Sequence, residues 1–230
     1  AEKYRMMFDL PPHKCTVIKN AIEHFPGRGV YQEGQKIKLI YTSTPWRGLN
    51  VLLGAMQLIK NPLIELDVYS STQIYGDAFK EHNDSMYQGL YDQAKQLPNV
   101  NYIGYASNQD IINKLHTYHI FAYPNIWEET SCISAIEALG CGLHGIVTNY
   151  GALYETCSEW TTYVQYNRDY KNLAQCFAYA IEEIATRLHT KGMQNLLDAQ
   201  VSFYEKFYSW KNRKHEWTNF LTGVLNDRKS

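Results

Sequence analysis

Short apolar segments alternate with longer amphipathic segments along most of the chain. β-Branched and apolar residues dominate the short segments, and proline, glycine or asparagine often bounds them, which is typical of β-strands. The strands predicted in this way are residues 14–18, 36–43, 64–70, 100–105, 120–123, 145–148 and 163–165.

Between these strands, apolar residues recur at the three- and four-residue spacing of one helix face. The clearest example runs from Leu49 to Ile59, and Asn61 and Pro62 end it. Further helices are predicted at residues 77–97, 108–118, 130–139, 171–190, 192–209 and 210–225. Because strands that alternate with helices form βαβ units, we expect an α/β fold with a single Rossmann-like, doubly wound parallel sheet.

The chain of 230 residues contains no internal repeat and no long flexible linker. A glycine-rich loop begins at residue 26 and is the one clear break in the pattern. The sequence therefore predicts a lead-in or hinge segment with the first strand at residues 1–25, a main domain at residues 26–210, and a C-terminal helix at residues 211–230.

Composition and charge exclude several function classes. The 22 basic and 23 acidic residues give a net charge of −1, whereas a nucleic-acid-binding domain carries a basic excess. No apolar run approaches the roughly 18 residues of a membrane span, and no signal-peptide pattern opens the chain. The five cysteines form no C-x-x-C pair, so we expect free thiols, no metal site and a cytoplasmic protein, with peripheral membrane association left open.

Three loops are candidates for a ligand site, because ligands of doubly wound sheets bind outside the carboxyl ends of the strands. These loops are residues 43–48, 105–109 and 125–131. The chain has neither the G-x-G-x-x-G fingerprint nor a P-loop sequence, which disfavours a dinucleotide oxidoreductase and a P-loop NTPase. A nucleotide could still bind through the N-terminus of a helix.

Two glutamates, Glu129 and Glu137, stand at the start and near the end of the helix predicted at 130–139. On one helix they would be roughly 12 Å apart and about 80° round the axis, a separation that suits an extended ligand touched at both ends. Between them, exposed amides near Thr130, Ser131 and Cys132 would favour an anion. The alternative interpretation is an acidic first turn followed by one solvated glutamate.

Arg47 lies in the loop after the strand predicted at 36–43, immediately before a helix. Arginine binds phosphate bidentately, and Gly48 would allow a close backbone approach. Ser43 and Thr44 could add hydroxyl donors. The alternative is an ordinary surface arginine.

The order of these features resembles the C-terminal, donor-binding half of GT-B glycosyltransferases, in particular the large retaining family 4. Residues 127–142, WEETSCISAIEALGCG, resemble the E-x7-E signature of that family. Residues 43–49, STPWRGL, resemble its phosphate-binding loop, and residues 17–23 and 209–210 resemble its domain-entry segment and its Ser-Trp near the end. The resemblance implies that the chain is the C-terminal half of a GT-B fold.

The resemblance also implies a role for each matching residue. Glu129 would be the catalytic residue that contacts the transferred sugar, and Glu137 would hold the ribose hydroxyls. Arg47 would bind the diphosphate together with nearby amides, and Tyr105 would border the base. The complete implied donor-binding set is Ser43, Thr44, Arg47, Gly48, Tyr105, Thr130, Ser131, Cys132, Ile133 and Glu137.

The implied activity is transfer of a hexose from a UDP-, GDP- or ADP-sugar to an acceptor hydroxyl, with retention and without a metal or other cofactor. The acceptor, a glycan, protein or lipid, would be bound by an N-terminal GT-B domain supplied in cis or in trans. Two alternatives remain open: a non-catalytic sugar-nucleotide- or partner-binding domain, and, less favoured, a sugar-nucleotide epimerase. Tyr41 and Thr42 favour the first alternative, because many family members carry Gly-Arg there.

Overall fold

The computed structural model describes residues 2–23 and 27–227. The strands within these ranges are β1 (Ile37–Thr42), β2 (Ile64–Tyr69), β3 (Val100–Tyr102), β4 (Ile120–Tyr123), β5 (His144–Thr148) and β6 (Thr161–Val164). They form one parallel sheet in the order β3-β2-β1-β4-β5-β6, which is the order of the Rossmann fold. The predicted α/β class with one doubly wound parallel sheet is therefore confirmed.

Helices cover both faces of this sheet. Their bounds are α1 (Glu2–Met7), α2 (Leu49–Leu58), α3 (Asp77–Asn83), α4 (Gln88–Gln96), α5 (Asn108–Leu115), α6 (Ile133–Gly140), α7 (Leu153–Cys157), α8 (Tyr170–Arg187), α9 (Lys191–Phe207) and α10 (Trp210–Asp227). Helix α2 packs against α4 and α8, whereas α6 packs against α7 and α9. Right-handed crossovers place these two groups on opposite faces, because the chain leaves the sheet centre in both directions.

The central strands are buried on both faces, as strands covered by two helix layers must be. Every residue of β4 and β5 is buried. Among the largest fully buried side chains are the tyrosines Tyr41, Tyr123 and Tyr204. The high tyrosine content of the chain therefore contributes directly to its core, where each hydroxyl needs a hydrogen-bond partner.

The strand predicted at residues 14–18 is not formed. A short 3-10 helix, Pro12–Lys14, is followed by extended chain in which Val17 is 62% exposed. The pairing of this segment with the rest of the described chain is limited to an isolated bridge between Ile22 and Ser209. An apolar run has the same pattern whether or not a sheet edge lies beside it, and here none does.

The helix predicted at residues 77–97 is divided into α3, a 3-10 helix (Asp84–Tyr87) and α4. The carboxylate of Asp84 accepts hydrogen bonds from Thr72 Oγ1 at 3.0 Å and from the Tyr91 hydroxyl at 3.2 Å. These contacts hold the chain at the point where one regular helix would otherwise continue. The strand predicted at 100–105 ends earlier, because Gly104 has a φ of +82°.

The division of the chain into three segments stays a prediction. The boundary predicted between residues 25 and 26, and the last residues of the C-terminal helix, 228–230, lie outside the described residues. All five cysteines are free, as expected, but only Cys132, Cys141 and Cys157 are buried. In the described part of the chain, every helix is too short or too polar to traverse a lipid bilayer.

Candidate functional site

The order in which the chain adds strands reverses between the two central strands, β1 and β4. Strand β1 continues to β2 on one side and β4 continues to β5 on the other, and ligands bind at this kind of switch point. Gly48, with a φ of +109°, brings the loop after β1 against the loop after β4: a Cβ on Gly48 would lie 2.0 Å from the carbonyl oxygen of Pro124. The space that a side chain at Gly48 would need is therefore occupied by Pro124, and the contact predicted between a phosphate and Gly48 stays a prediction.

Arg47 and Glu129 meet across this junction. Arg47 Nη1 donates to Glu129 Oε1 at 2.8 Å. The Tyr123 hydroxyl donates to the same oxygen at 2.7 Å and lies 3.3 Å from Ser43 Oγ. Four side chains from the ends of β1 and β4 thus form one hydrogen-bonded group, which leaves Glu129 Oε2 without a hydrogen bond to the described residues.

Burial and charge act in opposite directions on Arg47. Burial lowers its pKa, but Glu129 and Tyr123 outweigh that effect, so the pKa of Arg47 is raised overall. Within the described residues, Arg47 Nε and Thr44 Oγ1 are buried without a hydrogen-bond partner. A buried donor without an acceptor reduces the stability of the folded protein, so these two groups are suited to accept a partner from a ligand.

Helix α6 begins at Ile133, three residues after the predicted start. Cys132 is its N-cap residue, with extended backbone, and Ser131 Oγ accepts a hydrogen bond from Asn20 Nδ2 at 3.0 Å. The first-turn amides are therefore those of Ile133 and Ser134. The predicted start at residue 130 is therefore wrong by three residues, and the anion-binding role expected of the amides near Thr130, Ser131 and Cys132 stays a prediction.

This later start also removes the predicted arrangement of the two acids. Glu129 precedes α6, so Glu129 and Glu137 do not share a helix, and the spacing of roughly 12 Å calculated for a continuous helix does not apply. The two acids line different cavities, described below as the strand-end cavity and the loop cavity.

The strand-end cavity has a volume of about 350 Å³ and lies outside the carboxyl ends of β1, β2 and β3. It contains three predicted site residues, together with side chains that the sequence analysis did not single out. Its walls include Thr42, Ser43, Ser71, Tyr105, Asn108 and Glu137. The rule that ligands bind at strand ends thus pointed to the position of this cavity. Most of its lining residues were not predicted, because they are brought together only by the folding of distant segments.

Glu137 points into this cavity from α6. The residue is only 7% exposed, and Asn108 Nδ2 donates to its Oε1 at 3.1 Å. Burial raises the pKa of Glu137, and the hydrogen bond from Asn108 lowers it, with a net raised pKa. A buried carboxylate with lone pairs left over is a strong acceptor for hydroxyl groups.

The loop cavity, about 590 Å³ in volume, lies on the other side of Glu129. Helix α1 forms one wall and the segment after β4 forms the opposite wall, with Tyr4, Phe8, Glu129, Thr130, Gly151 and Glu155 among the lining residues. Lys3 pairs with Glu128 at its rim. Thr130 therefore lies beside Glu129 and does not reach the strand-end cavity.

The remaining predicted residues have distinct surroundings. Burial, followed by the nearby Glu129, raises the pKa of the Cys132 thiol to about 12, and Arg47 acts in the opposite direction. The Cys132 thiol is therefore neutral at physiological pH. Ile133 is 47% exposed.

Two site residues were missed by sequence reasoning. Tyr123 is part of the fully apolar strand β4, and Asn108 begins α5. The signal for Tyr123 was present, because a tyrosine in a buried strand requires a hydrogen-bond partner. Asn108 gave no comparable signal, because a polar residue at a helix start is ordinary.

Comparison with known proteins agrees with this architecture. A family model described as "Glycosyl transferases group 1" matches residues 23–192. A comparison with curated proteins found no match.

Several solved structures share this fold. Sucrose-phosphate synthase from Thermosynechococcus elongatus is 15% identical, with a TM-score of 0.71 over 98% of this chain and 57% of its own. A glycosyltransferase from Rickettsia africae is 19% identical, with a TM-score of 0.66 over 97% of this chain and 51% of its own. Anabaena Alr3699/HepE, solved in complex with UDP and glucose, is 14% identical, with a TM-score of 0.63 over 82% of this chain and 49% of its own. The chain thus spans about half the length of these proteins.

Proposed function

The chain belongs to the group 1 glycosyl transferase family, and from this premise we propose that it is the donor-binding part of an enzyme that transfers a hexose from a nucleoside-diphosphate sugar to an acceptor hydroxyl. We propose further that the anomeric configuration is retained and that no metal or other cofactor takes part. The observation that carries the proposal is the pair of buried, unpartnered donors among the described residues, Thr44 Oγ1 and Arg47 Nε, at the switch point of the sheet.

The diphosphate is proposed to lie between Arg47 and the start of α6. The guanidinium is bonded to Glu129, which lies three residues before Cys132, the N-cap residue of that helix. The amides of Ile133 and Ser134 and the positive end of the helix dipole favour an anion at this point. A phosphate oxygen there would supply the acceptor that Thr44 Oγ1 and Arg47 Nε lack.

The nucleoside is proposed to occupy the strand-end cavity. Tyr105 and Ile111 provide apolar surface for a base, and Glu137 provides the acceptor for the ribose hydroxyls. A UDP-, GDP- or ADP-sugar satisfies this arrangement. UDP is the first probe to test, because the Anabaena protein of the same fold was solved with UDP and glucose.

Glu129 is proposed to contact the transferred sugar. Its Oε1 is held by Arg47 and Tyr123, so Oε2 is the oxygen available to a sugar hydroxyl. This arrangement fixes the carboxylate before the substrate arrives, which is the kind of preorganisation that transfer reactions require.

In the proposed reaction, the bond between C1 of the sugar and the diphosphate oxygen breaks, and its electron pair stays on the diphosphate. Arg47 and the α6 amides stabilise that developing charge. The acceptor oxygen bonds to C1 from the same face, and its proton passes to a phosphate oxygen of the leaving group. Retention is supported by the sequence resemblance to retaining family 4.

An acceptor-binding domain, in cis or in trans, is part of the proposal, because the chain spans about half of its structural neighbours. The backbone N–H of Ile22 donates to the Tyr208 carbonyl at 2.8 Å, so the chain at Ile22 lies beside the end of helix α9, close to the start of helix α10. Helix α10 exposes Trp210, Trp217 and Leu221. An apolar helix face beside the entry point supports a second domain at this end.

A thermal-shift panel with UDP, GDP, ADP and their glucose conjugates tests donor binding directly. A ligand present at about 100 times its Kd adds about 2.7 kcal/mol of stability, so at least one nucleotide should raise the Tm of the wild type. Arg47→Ala should abolish that shift, whereas Arg187→Ala, on the exposed part of α8, should preserve it. Donor binding is ruled out if none of these ligands raises the Tm at millimolar concentration.

The second candidate is a non-catalytic sugar-nucleotide- or partner-binding domain. It is favoured by Tyr41, whose buried hydroxyl donates to the Thr44 carbonyl at 2.8 Å where many family members carry a small residue. The part of the strand-end cavity formed by described residues also contains no lysine or arginine. Glu129→Ala in the protein assembled with its acceptor-binding domain separates the candidates, because undiminished transfer would favour the binding domain.

A further inference from the structure

A side-chain hydrogen bond joins helices α5 and α6 at the strand-end cavity. Asn108, the first residue of α5, donates from Nδ2 to Glu137 Oε1 at 3.1 Å. Both side chains also line the cavity. The contact therefore lies on the wall that a ligand would touch.

The amide of Asn108 compensates a buried charge. Glu137 is 7% exposed, and no lysine or arginine is present among the described residues that line this cavity. The carboxylate shares the cavity with the phenols of Tyr69 and Tyr105. Asn108 is thus the donor that makes an ionised, oriented Glu137 less costly.

The start of helix α5 does not depend on this amide. Ser107 caps the helix, because its Oγ accepts a hydrogen bond from the Asp110 backbone N–H at 3.1 Å. Ser107 Oγ also donates to Asp110 Oδ2 at 2.6 Å. Because Ser107 caps the helix without Asn108, the Asn108 side chain is available to donate a hydrogen bond to Glu137.

We propose that Asn108 is a positioning residue for hydroxyl recognition: it holds the Glu137 carboxylate in the orientation that accepts hydrogen bonds from the vicinal hydroxyls of a ribose. This inference rests on the proposed function, because it presumes that a nucleotide occupies the strand-end cavity. A carboxylate offers about four lone-pair directions. With Oε1 fixed by Asn108, Oε2 and the second lone pair of Oε1 face the ligand.

Paired ribose and deoxyribose nucleotides test the proposal without an acceptor. Calorimetry with UDP and dUDP, GDP and dGDP, and ADP and dADP gives the ratio of the two affinities for each base. The wild type should favour the ribose form of its nucleotide about tenfold or more, the range of a hydrogen bond to a charged acceptor. Asn108→Ala should reduce this ratio toward one.

Two further variants make the result specific to Asn108. Asn108→Asp keeps the side-chain size, removes the donor and should reduce the ratio in the same way, so a folding defect of the alanine variant would not decide the outcome. Asn113→Ala is the matched control, because Asn113 lies on the exposed part of α5 and contacts only Gln109 in the described structure. This variant should keep the wild-type ratio.

Three results would overturn the proposal, and they can be told apart. Equal weakening of ribose and deoxyribose nucleotides by both Asn108 variants would show a merely structural role. An unchanged ratio in these variants would show that Asn108 has no influence on hydroxyl recognition. Failure of the wild type to bind any of the six nucleotides would instead contradict the proposed function, and with it the premise of this inference.

Discussion

Arg47 and Glu129 form an ion pair at 2.8 Å between the loops that follow β1 and β4. Next to this pair, Gly48 packs against the carbonyl of Pro124, where a Cβ would not fit. In this arrangement the cation proposed for the diphosphate is already partnered by the carboxylate proposed for the sugar. A bound diphosphate and Glu129 would therefore share the charge of Arg47, with its unpartnered Nε open to a phosphate oxygen.

Replacement of Glu129 by glutamine should separate nucleotide binding from transfer. Without the negative charge, Arg47 is released toward a phosphate, so the variant should bind the free nucleoside diphosphate several-fold more tightly by calorimetry. Transfer in the assembled enzyme should fall about 100-fold or more, as for loss of a preorganised polar contact to the reacting group.

Glu128→Gln is the matched control, because the neighbouring Glu128 is exposed and pairs with Lys3. This variant should retain both nucleotide affinity and transfer. If Glu129→Gln binds the nucleotide more weakly than the wild type, the ion pair does not compete with the diphosphate.

Gly48→Ala should disrupt the junction of the two loops. The new Cβ would lie 2.0 Å from the Pro124 oxygen at a φ of +109°, and strain of this kind costs about 1–3 kcal/mol. Chemical denaturation should show this loss of stability, together with loss of nucleotide binding.

Gly89→Ala provides the comparison, because a Cβ on Gly89 in helix α4 meets no atom within 4 Å. This change should be neutral or stabilise the protein by about 0.5–1 kcal/mol, since alanine is the better helix former. Equal effects of the two substitutions would mean that the close approach at Gly48 carries no strain.

Glu137→Gln should stabilise the protein and weaken nucleotide binding at the same time. Burial raises the pKa of Glu137, so the ionised form opposes folding at neutral pH, and glutamine removes that cost. The Tm at neutral pH should rise by a few degrees, the response of a domain of this size to about 1 kcal/mol.

The gain should shrink as the pH falls through the raised pKa of Glu137, because the wild-type carboxyl then takes up a proton and loses its unfavourable charge. A gain that is constant down to pH 4 would show that the charge of Glu137 does not oppose folding.

The buried His144 and the partly buried His119 should make the fold sensitive to acid. Burial, followed by a nearby cation, lowers the pKa of His119 and that of His144 to about 4, against about 6.5 in an unfolded chain. Their contribution to stability is complete above about pH 6.5 and is lost as the pH falls toward 4. Each histidine contributes up to about 1.4 kcal/mol per pH unit in that window.

His144→Gln tests this by urea denaturation between pH 4 and 7. The amide can keep the contact with Thr162 Oγ1, which lies 2.9 Å from His144 Nε2, so the fold should persist with a shallower dependence of the free energy of unfolding on pH. The exposed His189→Gln should leave the slope unchanged. An identical slope for His144→Gln and the wild type would refute the assignment.

The fold could be predicted because its signals are local. The apolar strands and amphipathic helices follow periodicity, and the strand-end rule selected the loops that hold Arg47, Tyr105 and Glu129. The spurious strand at 14–18 shows the limit of this approach, since strand pairing depends on a neighbour that the local pattern does not contain.

The site was less predictable because its contacts join distant parts of the chain. Helix α6 starts three residues later than the local pattern predicts, and Ser131, before that start, is bonded to the distant Asn20. Tyr123 and Asn108 acquire their roles from the acids that they contact. Gly48 was recognised as a special position, but its close approach to Pro124 could not be read from the sequence.

The central claim, a diphosphate between Arg47 and the start of α6 with its ribose at Glu137, is tested most directly by a crystal structure with the nucleoside diphosphate that gives the largest thermal shift. The account predicts phosphate oxygens within hydrogen-bond distance of Arg47 and of the Ile133 and Ser134 amides, and ribose hydroxyls on Glu137. A nucleotide bound elsewhere, with the Arg47–Glu129 pair intact and the strand-end cavity empty, would contradict it.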